Sequence, residues 1–398
     1  MKNNFIYLTN NKNLSILAFG VEDIIEYGGN SKLEELDGFL KSHENDYRFG
    51  FLSYDLKEDI WNKKSNNIDN IGFPKFGFFV PKYVVQWENN DKKVYLKGNK
   101  NDESEDFVAS FFENQSKAEE MNIELSPRLS KTGYIQQVIN IQNDIKNGEI
   151  EEINFCQEFY GENVDISPIP TFFKLNDVAK TPFSSFLQWN NSSALCMSPE
   201  RFLKRTRNTL TTQPIKGTAK RGETLEEDKQ LKNALISSKK EQNENILTTK
   251  AVQSELSKLA KNKHAEITEL CQLYSFETVH QLISTIEAEI ESDLSFREII
   301  EALFPMGSMT GVPSNIATHK IDKYENFNRG LYSGTIGYIK PNGDFDFNVV
   351  IRTLLYNFPK KYLSCPVGGA ITSKSIPESE YEECLIKIES IRNVLNGR

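Results

Sequence analysis

Apolar positions along the chain follow two different spacings. In the first 120 residues they come as short runs, FGFLSYDL ending at residue 56, FGFFV at 76–80 and YVVQW at 83–87. Aromatic and β-branched side chains dominate these runs, as they do in strands. From about residue 130 the spacing becomes helical. TGYIQQVINIQNDIKNGEI predicts an amphipathic helix ended by Gly148. EINFCQEFYG then reads as a strand. Residues 223–262 predict one long helical stretch, with Val252, Leu256 and Leu259 at i, i+4 and i+7. DFDFNVVIRTLLY, residues 344–356, alternates as a single strand. Pro377 to Leu395 opens with proline and acids and places Cys384, Ile388, Ile391 and Leu395 on one stripe, which predicts a helix. Residues 99–122 are polar and acidic. They predict a surface helix with loose ends and mark a seam between an N-terminal part, 1–125, and a second part, 126–398. Strands and helices of both kinds imply a mixed α/β (α+β) architecture.

Composition narrows the class. Hydrophobic residues at 38% and charged residues at 26% are ordinary for a globular chain. No apolar run reaches the roughly 18 residues a membrane span needs. The opening MKNNFIYLTNNKN lacks the apolar core of a secretory signal, so a soluble cytoplasmic protein is expected. A net charge of −9 with no basic stripe argues against nucleic acid as partner. Any anionic ligand must be gripped by local cations and backbone N–H groups. The five cysteines are scattered and read as reduced thiols, and none of the four histidines stands at a zinc-binding spacing.

Four segments rich in glycine and polar residues interrupt this pattern: SPERF (198–202), PIKGTAKRG (214–222), FPMGSMTGVP (304–313) and Gly368–Gly369. Each reads as a loop or turn in which backbone N–H groups approach a ligand. None matches the phosphate loop or the dinucleotide fingerprint.

Taken in order, SPERF, PIKGTAKRG, ENIL, VHQLISTIEAEI, FPMGSMTGVP, RGLYSGTIGY, FDFNVVIRTL and PESEYEECLIK resemble the chorismate-utilising enzymes. These comprise the large subunits of anthranilate and aminodeoxychorismate synthases, with isochorismate and salicylate synthases as relatives. The resemblance covers about residues 130–395 and extends weakly to FGFLSYDLKEDI. It implies a two-lobed, sandwich-like core of mixed or antiparallel sheets covered by helices, with the two parts fused into one compact unit.

The resemblance also implies roles. Chorismate would be bound with Mg²⁺ held by Glu244 and Glu383, and Glu380 lies one turn before Glu383 on the same helix face as Lys387. Lys387, Arg352 in VVIRTL and Tyr332 in RGLYSG would take substrate carboxylates, with backbone donors near Gly368 and Gly369. Arginine suits planar, bidentate carboxylate recognition. His280 and Glu200 would stand beside the departing ring hydroxyl, either able to be its proton donor. Ser308 and Thr310 would line the pocket.

Two positions select among the family's reactions. Lys216 in PIKGT resembles the lysine that, in the aminodeoxychorismate branch, attacks ring C2 before ammonia adds at C4; Lys220 and Arg221 would help keep it neutral. Anthranilate synthases usually carry a small residue there. Glu152 occupies the slot where the water-adding branches carry lysine, which argues against water addition. The expected activity is therefore amination of chorismate, with anthranilate formation or a catalytically impaired binding protein as alternatives. Two departures stand out: Thr248-Thr249-Lys250 after ENIL, and Ser314 where the family usually has lysine. No glutaminase motif is present, so ammonia is expected from a separate glutamine amidotransferase subunit. The tryptophan-sensing Leu-Leu-Glu-Ser motif is absent from residues 1–60, which implies insensitivity to tryptophan.

Overall fold

The structure is a computed structural model that describes residues 4–27, 33–62, 64–89, 92–116 and 121–397. Its strands join through antiparallel ladders into one hydrogen-bonded network of 19 strands. Phe5–Thr9 lies between Leu14–Glu26 and Phe183–Trp189. Arg48–Leu52 lies between Phe76–Glu88 and Thr335–Ile339. These two strands of the first 125 residues are thus paired on one side with an N-terminal strand and on the other with a strand of the remainder.

From Phe183–Trp189 the ladder runs through Ser192–Ser198, Thr353–Asn357 and Tyr362–Ile371 to Glu152–Gly161. From Thr335–Ile339 it runs the other way, through Phe345–Asn348, Arg201–Thr206 and Thr209–Gln213 to Val279–Glu289. The two-residue alternation of strands feeds two apolar clusters. Ile6 enters one cluster with Phe49, Phe51, Phe78 and Trp189. Phe5 and Tyr7 enter the other, with Phe111, Phe172 and Phe186. Each such side chain contributes about 1.5–3 kcal/mol on burial. The helices Asp102–Glu113, Lys131–Lys146, Pro168–Ala179 and Pro377–Leu395 contribute to the second cluster. Lys239–Ser257 and Phe296–Leu303 pack against the first.

The helix Pro377–Leu395 has the bounds and the buried stripe its sequence predicts, with Cys384, Ile388, Ile391 and Leu395 all buried. The helix Lys131–Lys146 is capped by Ser130, and Gly148 beyond it takes a left-handed φ of 76°. Other expectations need correction. The 223–262 stretch is two helices, Leu225–Ser237 and Lys239–Ser257, broken at Ser238. Ser238 is extended, and its hydroxyl caps the second helix by accepting from the Glu241 N–H. The 344–356 strand is likewise broken. Phe345–Asn348 and Thr353–Asn357 flank a bend at Arg352, whose φ is 53°. Gly368 and Gly369 lie inside the strand Tyr362–Ile371 and form no turn. Lys216 likewise sits in a strand, Ile215–Lys220. In the 99–122 segment the helix Asp102–Glu113 is anchored by an Asn101 capping box and by buried Val108 and Phe111, while residues 117–120 lie outside the described residues. Among the described residues no helix is long and apolar enough to cross a membrane. All five cysteines are free thiols.

Candidate active site

A cavity of about 570 Å³ opens where the two helices Lys239–Ser257 and Pro377–Leu395 approach the sheet. Its walls bring together Lys216, Glu200, Glu244, Ser308, Tyr332, Arg352, Gly368, Gly369, Glu380, Glu383 and Lys387 from eight separate stretches of chain. Local sequence explains how several of them arrive. Gly217 takes a φ of 91°, and the pairing with Val279–Glu289 slips between Ile215 and Thr218. Such a bulge re-aims the side chains beside it, here that of Lys216. Glycine is required at 368, because a Cβ there would lie 2.3 Å from Cys156 Sγ. At 369 a Cβ would sit 3.5 Å from Glu380 Oε2, 3.6 Å from Lys387 Nζ and 3.8 Å from Glu383 Oε1. The glycine pair therefore forms a flat floor beneath the charged face of the last helix.

The charges on that face are tied together. Lys387 Nζ lies 2.6 Å from Glu383 Oε1 and donates to the Gly368 carbonyl at 2.8 Å. Arg352 donates to the Lys387 carbonyl oxygen at 3.1 Å. Burial pulls the Arg352 guanidinium below its ordinary value, opposed by Tyr332 and Glu383. Arg352 therefore keeps its planar donor set only partly used, beside buried Tyr332, the arrangement a carboxylate guest would satisfy.

Glu200 sits at the junction between Ser192–Ser198 and Arg201–Thr206. It is buried, and Ser308 Oγ donates to its Oε1 at 3.2 Å. Burial pushes its carboxyl up to about 7, against the opposing pull of Lys216 and Ser308. A carboxyl in that range can exchange its proton near neutral pH. Lys216 Nζ lies 3.9 Å from Glu152 Oε1. The cationic surroundings expected for Lys216 are only partly present. Lys220 lines the cavity, but Arg221 is engaged with Asp228 at 2.6 Å.

Glu244, Glu380 and Glu383 are the carboxylates a cation would use. Burial raises Glu244, with Lys240 opposing, and raises Glu380, with Ser375 opposing. Burial also works to raise Glu383, but Lys387 holds it below its ordinary value. Among the described residues no three His, Cys, Asp or Glu side chains gather closely enough to hold a metal by themselves. The donor set is nevertheless of the type Mg²⁺ accepts, a few hard carboxylate oxygens with the shell completed by water and ligand. Lys240, 3.9 Å from Glu244, and Lys387, beside Glu383, supply the compensating positive charge.

Two expected residues do not reach the cavity. His280 is 1% exposed; its Nδ1 pairs with Ser275 Oγ at 2.8 Å and its Nε2 with Asp228 Oδ1 at 3.0 Å. Successive strand residues face opposite ways, so its neighbour Gln281 lines the cavity instead, its Nε2 donating to Thr218 Oγ1 at 3.4 Å. Thr310 is fully buried and its hydroxyl donates to the Met306 and Gly307 carbonyls. Gln281, Asn154 and Lys240 are lining residues that sequence reasoning missed. Strand parity could have found Gln281, and the i, i+4 spacing from Lys240 to Glu244 could have found Lys240. The two sequence departures are absorbed in part, the buried Thr248 hydroxyl being left without a hydrogen-bond partner. Thr249 bonds back to the Asn245 carbonyl at 2.7 Å, and Ser314 donates to Glu255 at 3.1 Å.

Comparison with known proteins bears on this geometry. The family described as chorismate binding enzyme matches residues 2–393. The chain is 38% identical over 272 residues to an aminodeoxychorismate synthase, chloroplastic, of Arabidopsis thaliana, covering 68% of this chain and 29% of that protein. It is 27% identical over 360 residues to aminodeoxychorismate synthase component 1 of Bacillus subtilis, covering 87% of this chain and 76% of that one. The chain spans less than half the length of several curated relatives it matches. Its fold is similar to that of anthranilate synthase component I from Streptococcus pneumoniae, with a TM-score of 0.80 at 21% identity over 96% of this chain and 92% of that one.

Proposed function

We propose, from the premise that this chain belongs to the family of chorismate binding enzymes, that it joins ammonia to chorismate at ring C4 and so makes 4-amino-4-deoxychorismate. One observation carries the choice of reaction: the bulge at Gly217 places Lys216 in the same cavity as Glu200, Arg352 and the Glu244–Glu383 carboxylates. The names of the Arabidopsis and Bacillus relatives support the same reading.

In this reading Arg352 and Tyr332 take one carboxylate of chorismate, and Lys387 stands by the other. Mg²⁺ would be held by Glu244 and Glu383, with Glu380 adjacent, and would neutralise the ring carboxylate. Lys216 Nζ, freed of its proton, forms a bond to ring C2. The ring double bond shifts and the C4–O bond breaks, with Glu200 giving its proton so that water leaves. Glu152 stands 3.9 Å from Lys216 Nζ. Ammonia then bonds to C4, the double bond shifts back, and the lysine amine departs. Splitting one hard displacement into two is the advantage of the covalent route. Glu200 is the donor this geometry favours, since His280 faces away and an amide such as Gln281 cannot transfer a proton.

The ammonia is expected from a separate glutamine amidotransferase subunit, consistent with the component 1 naming of the Bacillus relative. The free cysteines fit a reducing, cytoplasmic setting. The test is product identity by mass after incubation with chorismate, Mg²⁺ and ammonium. Aminodeoxychorismate is the expected product. Anthranilate, or no product, would overturn the reading.

A further inference from the structure

Behind Glu200 lies a second, smaller cavity of about 30 Å³ that shares only Glu200 and Ser308 with the main one. Its volume holds a molecule the size of water or ammonia and little more. The walls are largely apolar: Phe202, Leu203, Val252, Leu256, Leu303 and Met306. Its wall carries a second carboxylate, Glu255, which follows Glu244 by about three turns on the same face of one helix.

Glu255 is fixed in place. Ser314 Oγ donates to its Oε1 at 3.1 Å, and its Oε2 lies 3.1 Å from where a Cβ of Gly307 would be. Glycine at 307 is what lets this carboxylate lie against the 307–309 turn. Burial raises Glu255, and the neighbouring cation Arg201 is spent on Asp346 at 2.8 Å. Two carboxylates in one small wall, whose lining cation Arg201 is already paired, suit a small donor-rich cation, with Lys216 and Lys258 acting on Glu200 and Glu255 from outside that wall. The apolar remainder of the wall suits its neutral form, since charge is costly to desolvate.

We propose that this cavity takes ammonium at Glu255 and passes ammonia to the Glu200 end of the reaction cavity. One N–H bond of ammonium breaks, its proton goes to a Glu255 oxygen, and the lone pair stays on nitrogen. Glu255 is partly exposed and returns that proton to solvent. This inference rests on the amination reading and adds a nitrogen-binding site to it.

The experiment measures KM for ammonium chloride and for chorismate, at fixed pH and saturating Mg²⁺, in the parent and in two variants. Val252→Phe fills the cavity, and Glu255→Gln keeps its shape while removing the proton acceptor; neither side chain lines the main cavity. Each folded variant should raise the ammonium KM about tenfold or more and leave the chorismate KM within about twofold. A third variant, Val252→Ala, which enlarges the cavity, should admit methylammonium and yield the N-methyl product. A parent that aminates, with both variants folded and their ammonium KM unchanged, would overturn this inference alone. A parent that makes no amino product from ammonium would overturn the amination reading with it.

Discussion

His280 Nε2 lies 3.0 Å from Asp228 Oδ1, on the side of its strand facing away from the reaction cavity. Both ring nitrogens are engaged, the second by Ser275. His280→Ala should therefore behave as a stability variant. Loss of these buried bonds should cost about 1–3 kcal/mol, seen in denaturant unfolding, while kcat of the folded fraction changes only a few fold. Gln281→Leu should do the reverse, lowering kcat/KM with little change in unfolding. A His280→Ala enzyme that folds normally and has lost turnover would return the histidine to the chemistry.

The metal prediction concerns Glu244 and Glu383. Glu244→Ala and Glu383→Ala should each abolish turnover while circular dichroism and thermal unfolding stay near those of the parent, because both carboxylates lie at a cavity wall and not in the core. Chelation of the parent should reproduce the loss, and added Mg²⁺ should reverse it. Near-normal activity of either variant at low Mg²⁺ would remove these residues as ligands.

Lys216→Ala tests the covalent route. Chorismate binding should stay close to normal, since Arg352, Tyr332 and Lys387 are untouched. Aminodeoxychorismate formation should fall by orders of magnitude. Direct attack of ammonia at C2 would leave some anthranilate-type product, recognisable by mass. Parent-level aminodeoxychorismate from this variant would exclude Lys216 as the nucleophile.

Glu200 yields a prediction in pH. Its folded-state value of about 7 lies above its ordinary value of 4.5, so the protonated form is the one the fold favours. Its contribution to stability is full below about 4.5 and is lost as pH rises towards 7. Activity that needs the proton should fall over the upper part of the same window. Glu200→Gln should lose about 10²–10⁴ in kcat, and its stability should fall less than the parent's between pH 5 and 8. A parent pH profile flat through 7 would count against Glu200 as the acid.

Much of the site was legible because its chemistry recurs in ordered motifs. Lys216, Glu244, Arg352 and Glu383 are named by their neighbours in sequence, and all four meet at one cavity. The last helix was legible in its bounds because proline, acids and an apolar stripe all agree there. What escaped lies where tertiary contacts override a local pattern. Arg352 continues an alternating run, yet its backbone turns left-handed and ends the strand. Ser238 lies within a helical period, yet its hydroxyl starts a new helix. His280 and Gln281 differ by one position, and only the register against Thr218 and Ala219 decides which faces the ligand.

The strand Phe5–Thr9 has a consequence for how the molecule comes apart. It is clamped on one edge by Leu14–Glu26 and on the other by Phe183–Trp189, across the compositional seam near residue 125. Cutting the chain at that seam would strip one edge from Phe183–Trp189 and another from Thr335–Ile339, leaving rows of bare N–H and C=O groups that invite aggregation. The N-terminal third is thus not a detachable cassette that could be exchanged between relatives by splicing. Calorimetry of the intact chain should show one melting transition, and neither fragment should melt cooperatively by itself.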